Sequence, residues 1–206
     1  QTAQPVWPAK IDLPGYRPDP KADDLELNEI IGLIEKAERP VLYVGGGIIT
    51  GEASKELRAF SEATKIPVTT TIMGVGAFPE DHKLSLRWLG MHGAAYANWA
   101  VSGEIRKDAK GNTRKIADGA DLLLAFGVRF DDRVTGKVEK FCETGTIVHV
   151  DLDRSEHNKN RHVQLPIHSD VKYALGKLVK MIKARPIKAR YTKWHKQIAE
   201  WKQRAP

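Results

Sequence analysis

One cysteine, Cys142, stands in the whole 206-residue chain. Without a second thiol it forms no intramolecular disulfide, and a cysteine-built metal centre has too few ligands. Such a thiol reads as a packed small hydrophobe rather than a nucleophile. Long apolar runs are also missing. Nothing approaches the roughly 20 residues a membrane helix needs. The first residues, Gln1-Thr2-Ala3-Gln4-Pro5, lack the basic start and apolar stretch of a secretory signal, and they do not begin with Met. The chain therefore reads as a fragment or a processed product. Among the seven histidines, His82, His149, His157, His162, His168 and His195 show no metal-ligand spacing, so no metal site is expected.

What is present fits an ordinary globular domain, 41% hydrophobic and 29% charged. The length suits a single α/β core. The net charge of +7 is unevenly placed. Residues 172–206 hold eleven Lys/Arg and one acid, Glu200, so the first 171 residues are net acidic. The basic end could meet phosphates or an acidic partner; the commoner reading is a solvated helix face, and nucleic acid is not the expected partner.

Residues 1–23 carry five prolines and read as an extended linker. A domain over 24–184 follows, and then a basic helix or linker over 185–206. From Asp24, Leu25, Leu27, Ile30, Ile31 and Ile34 recur at helical spacing, and Glu38-Arg39-Pro40 ends that helix. Val41–Val44, Pro67–Thr71, Asp121–Phe126 and Thr146–Val150 read as buried strands, with Leu165–Ile167 as a weaker fifth. Helices are expected through Ala53–Ala63, from His92 to Val101, over Val171–Ala184 and from Ile187 to Arg204. Residues 74–91 read as a loop, and polar Ser102–Ala117, turning at Lys110-Gly111-Asn112, as a surface hairpin. Apolar strands alternating with helices predict an α/β fold, a parallel sheet with helices on both faces. Ligands of such sheets bind outside the carboxyl ends of the strands.

The residues just after each strand therefore matter most. Gly45-Gly46-Gly47 would let main chain approach a diphosphate, although the next glycine, Gly51, comes one position late for the dinucleotide fingerprint. A tight turn without ligand fits equally. A nicotinamide site should place an acid after the second strand. Thr71-Ile72-Met73 offers none, which counts against an ordinary dehydrogenase. In Gly127–Val134, Arg129 and Arg133 suit an anion, while Asp131 and Asp132 could orient them or form a structural network with them. Asp151-Leu152-Asp153 could hold a ribose and a flat ring, or simply start a turn. Gly90-Met91-His92-Gly93 offers two glycines for close approach, a soft apolar contact and a polar ring.

Taken in order, Gly45–Gly47, Thr71–Gly74, Leu89–Gly93, Asp121–Lys137 and His149–Asp153 resemble the acetolactate synthase (acetohydroxyacid synthase) family of thiamine-diphosphate enzymes. The resemblance implies a Rossmann-like, three-layer central domain of a three-domain subunit that joins 2-oxoacids in branched-chain amino-acid biosynthesis. It implies FAD in this domain, without net redox use. By resemblance Gly45, Gly46 and Gly47 lie near its phosphates. Thr71, Ile72, Met73, Gly90, Met91 and His92 line the flavin. Gly127, Arg129, Arg133 and Val134 approach from the next strand, and Asp151, Leu152, Ser169 and Asp170 hold the adenosine. Thiamine diphosphate and Mg would belong to other domains of the same subunit, for the chain lacks a G-D-G…Asn motif and offers no catalytic residue of its own. The isolated chain is thus expected to be inactive. A homo-oligomer, a regulatory small subunit and a cytoplasmic location, plastid in a plant, are further implications. The stretch Glu104–Lys115 departs from the family's usual spacing, and Ser169 replaces its usual Gly. Competing readings are a free-standing nicotinamide- or adenine-nucleotide oxidoreductase domain and a non-enzymatic module using the basic end.

Overall fold

A computed structural model describes residues 19–108, 110–188 and 191–205. Most of the linker expected over 1–23 lies outside these residues. Helix α1 (Asp24–Lys36) begins where Asp23 accepts the Glu26 N–H at 2.8 Å and Glu26 accepts the Asp23 N–H at 2.9 Å. This reciprocal cap satisfies two orphan donors. Leu27, Ile30, Ile31 and Ile34 are buried as their spacing predicts, whereas Leu25 lies off the stripe, 81% exposed. Strand β1 (Pro40–Val44) is wholly buried.

The single helix expected after it is two, α2 (Gly46–Thr50) and α3 (Ser54–Thr64), divided where Glu52 adopts a positive φ of 50°. Strand β2 (Val68–Thr70) follows. Within the segment read as a loop lies one more strand, β3 (Ser85–Trp88). Helix α4 (Ala95–Ser102) starts three residues later than expected. The delay comes from Gly90, whose φ of 111° and bond from the Gly93 N–H make a turn first.

Strands β4 (Glu104–Lys107) and β5 (Thr113–Ala117) form the antiparallel hairpin, its turn tied by Asp108 accepting from the N–H groups of Lys110 and Asn112. Then come β6 (Leu122–Phe126), a short α5 (Asp132–Thr135), β7 (Thr146–Asp151), β8 (Leu165–His168), α6 (Val171–Ala184) and α7 (Thr192–Arg204).

Six parallel strands run in the order β3-β2-β1-β6-β7-β8, with helices on both sides, as the fold class predicted. The order grows outward from β1 in one direction and from β6 in the other. Between these two the connections diverge to opposite sides, which leaves a crevice at the carboxyl end of the sheet. The sheet's ten central residues in β1 and β6 are all buried. Asp121 fixes the amino end of this pair by accepting the N–H groups of Glu38 and Arg39 at 2.8 and 2.9 Å.

Helix α7 packs against the body. Trp201 is fully buried, and the Trp194 indole donates to the Pro40 carbonyl at 3.1 Å. Lys202 donates to the Ser85 carbonyl at 2.6 Å. The helix thereby lies over the amino ends of β1 and β3, away from the crevice. Several basic residues of the C-terminal part meet acids of the body: Lys172 with Glu52, Lys177 with Asp24, Arg185 with Glu35, and Arg204 with Glu104. Among the described residues no helix is long and apolar enough to cross a membrane.

Candidate functional site

At the carboxyl end of the sheet a groove of about 1670 Å³ runs across the ends of β2, β1, β6, β7 and β8. That exceeds the roughly 300–1,000 Å³ of a drug-sized ligand's pocket, so an extended ligand fits better than a compact one. Its floor is made by a crossing of two loops. Gly45 donates to the Phe126 carbonyl at 3.1 Å, and Gly47 to the Gly127 carbonyl at 3.2 Å. A Cβ on Gly45 would collide with the Gly127 carbonyl, and one on Gly47 would stand 2.7 Å from the Gly127 Cα. Gly127 itself has a φ of 59°, a left-handed conformation that glycine adopts without strain. The glycine run thus has a packing role at both outer positions. Gly46 differs: a Cβ there would meet Met73 at an ordinary 3.4 Å.

Most residues singled out from the sequence line this groove: Gly45, Gly46, Gly47, Thr71, Ile72, Met73, Gly127, Arg129, Arg133, Val134, Asp151, Leu152 and Asp170. Thr71 shapes its segment by accepting the Gly74 N–H at 3.1 Å. Ile72 and Met73 are left 60% and 70% exposed, and Leu152 52%, an apolar lining without a protein partner. Gly90, Met91 and His92 are not in the lining. They sit beside it, with the Met91 N–H 3.4 Å from the Arg133 carbonyl and Met91 exposed. Ser169 is not in the lining either. It is fully buried, its hydroxyl accepting the Ala22 N–H at 3.0 Å and donating to the Asp170 carbonyl. Its visible work is to fasten the segment before α1 to the start of α6, helped by the Asp170 N–H bound to the Pro20 carbonyl.

The acidic residues have local roles. Asp131 caps α5 by accepting the Arg133 N–H at 3.0 Å; that bond, and one with Asp132, hold its carboxyl below the ordinary value. Among the described residues neither Asp131 nor Asp132 pairs within 4 Å with Arg129 or Arg133, whose exposed guanidinium groups border the groove. The Ser155 hydroxyl, and then the Ser155 N–H that Asp153 accepts at 2.9 Å, lower the Asp153 pKa, and Asp151 accepts the Asp153 N–H at 2.8 Å. The turn after β7 is therefore built by these two carboxylates. Asp170 caps α6 through the Tyr173 N–H at 2.8 Å.

Sequence reasoning missed Tyr43 and Phe130. Tyr43 lines the groove from β1, with its ring 5.6 Å from that of Phe130. Its hydroxyl is buried without a hydrogen-bond partner, and burial, then Asp131, keep it from ionising in the ordinary range. Next to Phe130 stands His149, fully buried, with Nε2 2.8 Å from the Val128 carbonyl. The carbonyl can only accept, so that nitrogen carries the proton. Its Nδ1 and the Nε2 of neighbouring His157 lack partners; burial, then His149, lower the His157 pKa. Tyr43 and His149 sit inside the continuous buried runs of β1 and β7, and such runs do not reveal polar atoms left over in the interior. Cys142 is buried, its thiol pushed up to about 12 by burial, as an inert core residue requires.

A parallel sheet with a switch-point crevice and a glycine crossing on its floor defines a doubly wound α/β domain, the class whose ligands bind at such a crevice. The family model described as the thiamine pyrophosphate enzyme central domain matches residues 27–178, and the chain belongs to that family. It is 46% identical over 211 residues to acetolactate synthase 1, chloroplastic, of Oryza sativa subsp. japonica, an alignment covering 100% of this chain and 30% of the relative. Probable acetolactate synthase 2, chloroplastic, of the same plant is 54% identical over 178 residues, 85% of this chain and 24% of the relative. Acetolactate synthase of Mycobacterium bovis is 43% identical over 177 residues, 86% and 26%. The chain thus spans less than a third of these relatives' length.

Proposed function

We propose that this chain is the cofactor-binding central domain of an acetolactate synthase and that the groove takes FAD. The observation that carries the reading is the groove itself, an extended cleft at the switch point, in a chain of this family and of this similarity to acetolactate synthases. Its residues fit the group. Arg129 and Arg133 offer planar forks of donors to a diphosphate. Ile72, Met73 and Leu152 offer apolar surface to flat rings. Gly90, Met91 and His92 extend the flavin end, and Asp151 and Asp170 border the adenosine end; Ser169 would act through its hold on Asp170. FAD here would serve as a bound structural ring without net redox. Thiamine diphosphate and Mg would be held by other domains of the same subunit, within an oligomer that includes a regulatory small subunit, in the cytoplasm or, in a plant, the plastid. On this reading the domain comprises residues 24–184, with 1–23 and 185–206 joining it to its neighbours.

Titrating the chain with FAD while following flavin fluorescence tests the site. One-to-one saturable binding, weakened at least tenfold in the Arg129→Ala, Arg133→Ala double variant, is expected. Hydride transfer from NADH or NADPH by the chain, with no flavin binding, would replace this reading by that of an oxidoreductase domain.

A further inference from the structure

A second cavity, about 480 Å³, lies at the other end of the sheet, between α7 and the residues leading into β2 and β3. Its volume falls in the range of small-molecule pockets. Its apolar wall comes from Leu84, Leu86 and Ile198, all buried to within 5% of full cover. Its cationic side comes from Lys65, Lys83 and Lys202, and among the described residues no carboxylate lines it.

Lys202 is the informative member. Its ammonium is half-buried, donating to the Ser85 carbonyl at 2.6 Å and standing 5.7 Å from the centre of the Tyr96 ring. Among the described residues no acid lies within 4 Å of Lys65, Lys83 or Lys202. Burial, and then Arg87, depress the Lys202 pKa. A partly desolvated ammonium without a counter-charge costs free energy. Arg204, on the same helix, is instead neutralised by Glu104. His195 adds no negative charge: its Nε2 is 2.8 Å from the Lys65 carbonyl and must donate to it.

We propose that this cavity binds a small amphipathic anion, whose apolar body of a few carbons rests on Leu84, Ile198 and Ala199 and whose carboxylate or phosphate head lies among the three lysines. The site is separate from the groove and independent of what the groove holds.

The test is an NMR titration of the full 206-residue chain with hexanoate, hexyl phosphate, inorganic phosphate and 1-hexanol. Saturable shifts in the amides of Leu84, Leu86, Ile198 and Ala199 are expected with hexanoate or hexyl phosphate, and the preferred head group identifies the natural class. Hexanol and inorganic phosphate should each bind at least tenfold more weakly than the preferred anion. Lys202→Met and Lys83→Glu should each weaken that anion at least tenfold while leaving the Gly47 and Gly127 amide positions unchanged. Lys83 is exposed, so its variant reports even where the loss of the Lys202–Ser85 bond unfolds the chain. The proposal is overturned if neither anion gives saturable shifts, if hexanol binds as well as hexanoate, if inorganic phosphate binds as well as hexyl phosphate, or if the Lys83 variant binds unchanged. Binding of an oligoglutamate peptide but of neither small anion would likewise overturn it, in favour of an acidic protein partner.

Discussion

Glu104 shows what a single side chain decides here. It is 1% exposed, yet three donors reach it: the Trp201 indole at 2.9 Å, Arg204 at 2.5 Å and Arg106 at 2.7 Å. Burial pushes its pKa up, but the bonds from Arg204, Arg106 and Trp201 outweigh that, and the carboxyl stays below its ordinary value. A group depressed in the folded state stabilises the fold above its unfolded pKa, about 4.3. That contribution disappears as pH falls through the lower folded value. Glu104→Gln should therefore lower the urea midpoint at pH 7 by an amount equivalent to about 2 kcal/mol. It should also flatten the stability loss on acidification below about pH 4.3; an unchanged acid limb would show that other carboxylates govern it. The two kinds of glycine in the groove floor give a second prediction. Gly47→Ala must displace Gly127 and should cost about 1–3 kcal/mol in a denaturant melt. Gly46→Ala should leave the melt within about 0.5 kcal/mol, while Gly46→Phe should obstruct the groove and abolish flavin binding with the fold intact. At this scale the sequence was readable in part. The glycine run announced a close approach of main chain, but its partner, Gly127, is 80 residues away, and spacing alone cannot say that a loop rather than a ligand is what approaches. For Ser169 the same limit applies: its partner, Ala22, lies in a segment without periodicity, so spacing could not disclose their bond.

Among the elements, those with a clear apolar rhythm were the ones the sequence disclosed. Strands β1, β6 and β7 are continuous buried runs, and α1 and α6 carry helical stripes. Strand β3 escaped because it is short, lies at the sheet edge and pairs irregularly, with Arg87 at a φ of 57°. The alternation of Leu84, Leu86 and Trp88 with Ser85 and Arg87 was a usable signal, drowned by the turn residues on either side. Helix α7 was legible as a helix, yet its charge concealed its packing. Eleven basic residues suggested a solvated end, whereas Trp194, Ile198 and Trp201 form a buried stripe. Trp201→Ala should accordingly cost about 3–5 kcal/mol in a chemical melt and loosen the hairpin through Glu104. A loss under about 1 kcal/mol would mean the helix docks without contributing to the core.

For the molecule as a whole, ion pairs with the acidic body occupy four of the eleven basic residues of the C-terminal part, Lys172, Lys177, Arg185 and Arg204. Binding to duplex DNA should therefore be weak at about 150 mM salt and show a shallow salt slope, measured by fluorescence anisotropy. A steep slope lost on charge reversal of Lys193 and Lys196 would restore the basic-module reading. The parallel topology was foreseeable from strand–helix alternation, and the switch point between β1 and β6 follows once the strand order is known. That order was the missing information, because sequence rhythm marks strands without saying which are neighbours. The crossing of Gly45–Gly47 with Gly127 also bears on how the groove moves. Its N–H groups continue the sheet's ladder beyond the strands, Gly45 to Phe126, Gly47 to Gly127 and Gly127 to Val150. In hydrogen–deuterium exchange these loop amides should exchange as slowly as core strand amides, opening only with the sheet itself. Ligand would then add little protection at the floor and much more along Ile72–Val75, so the floor is a rigid template and the exposed wall the part that adjusts.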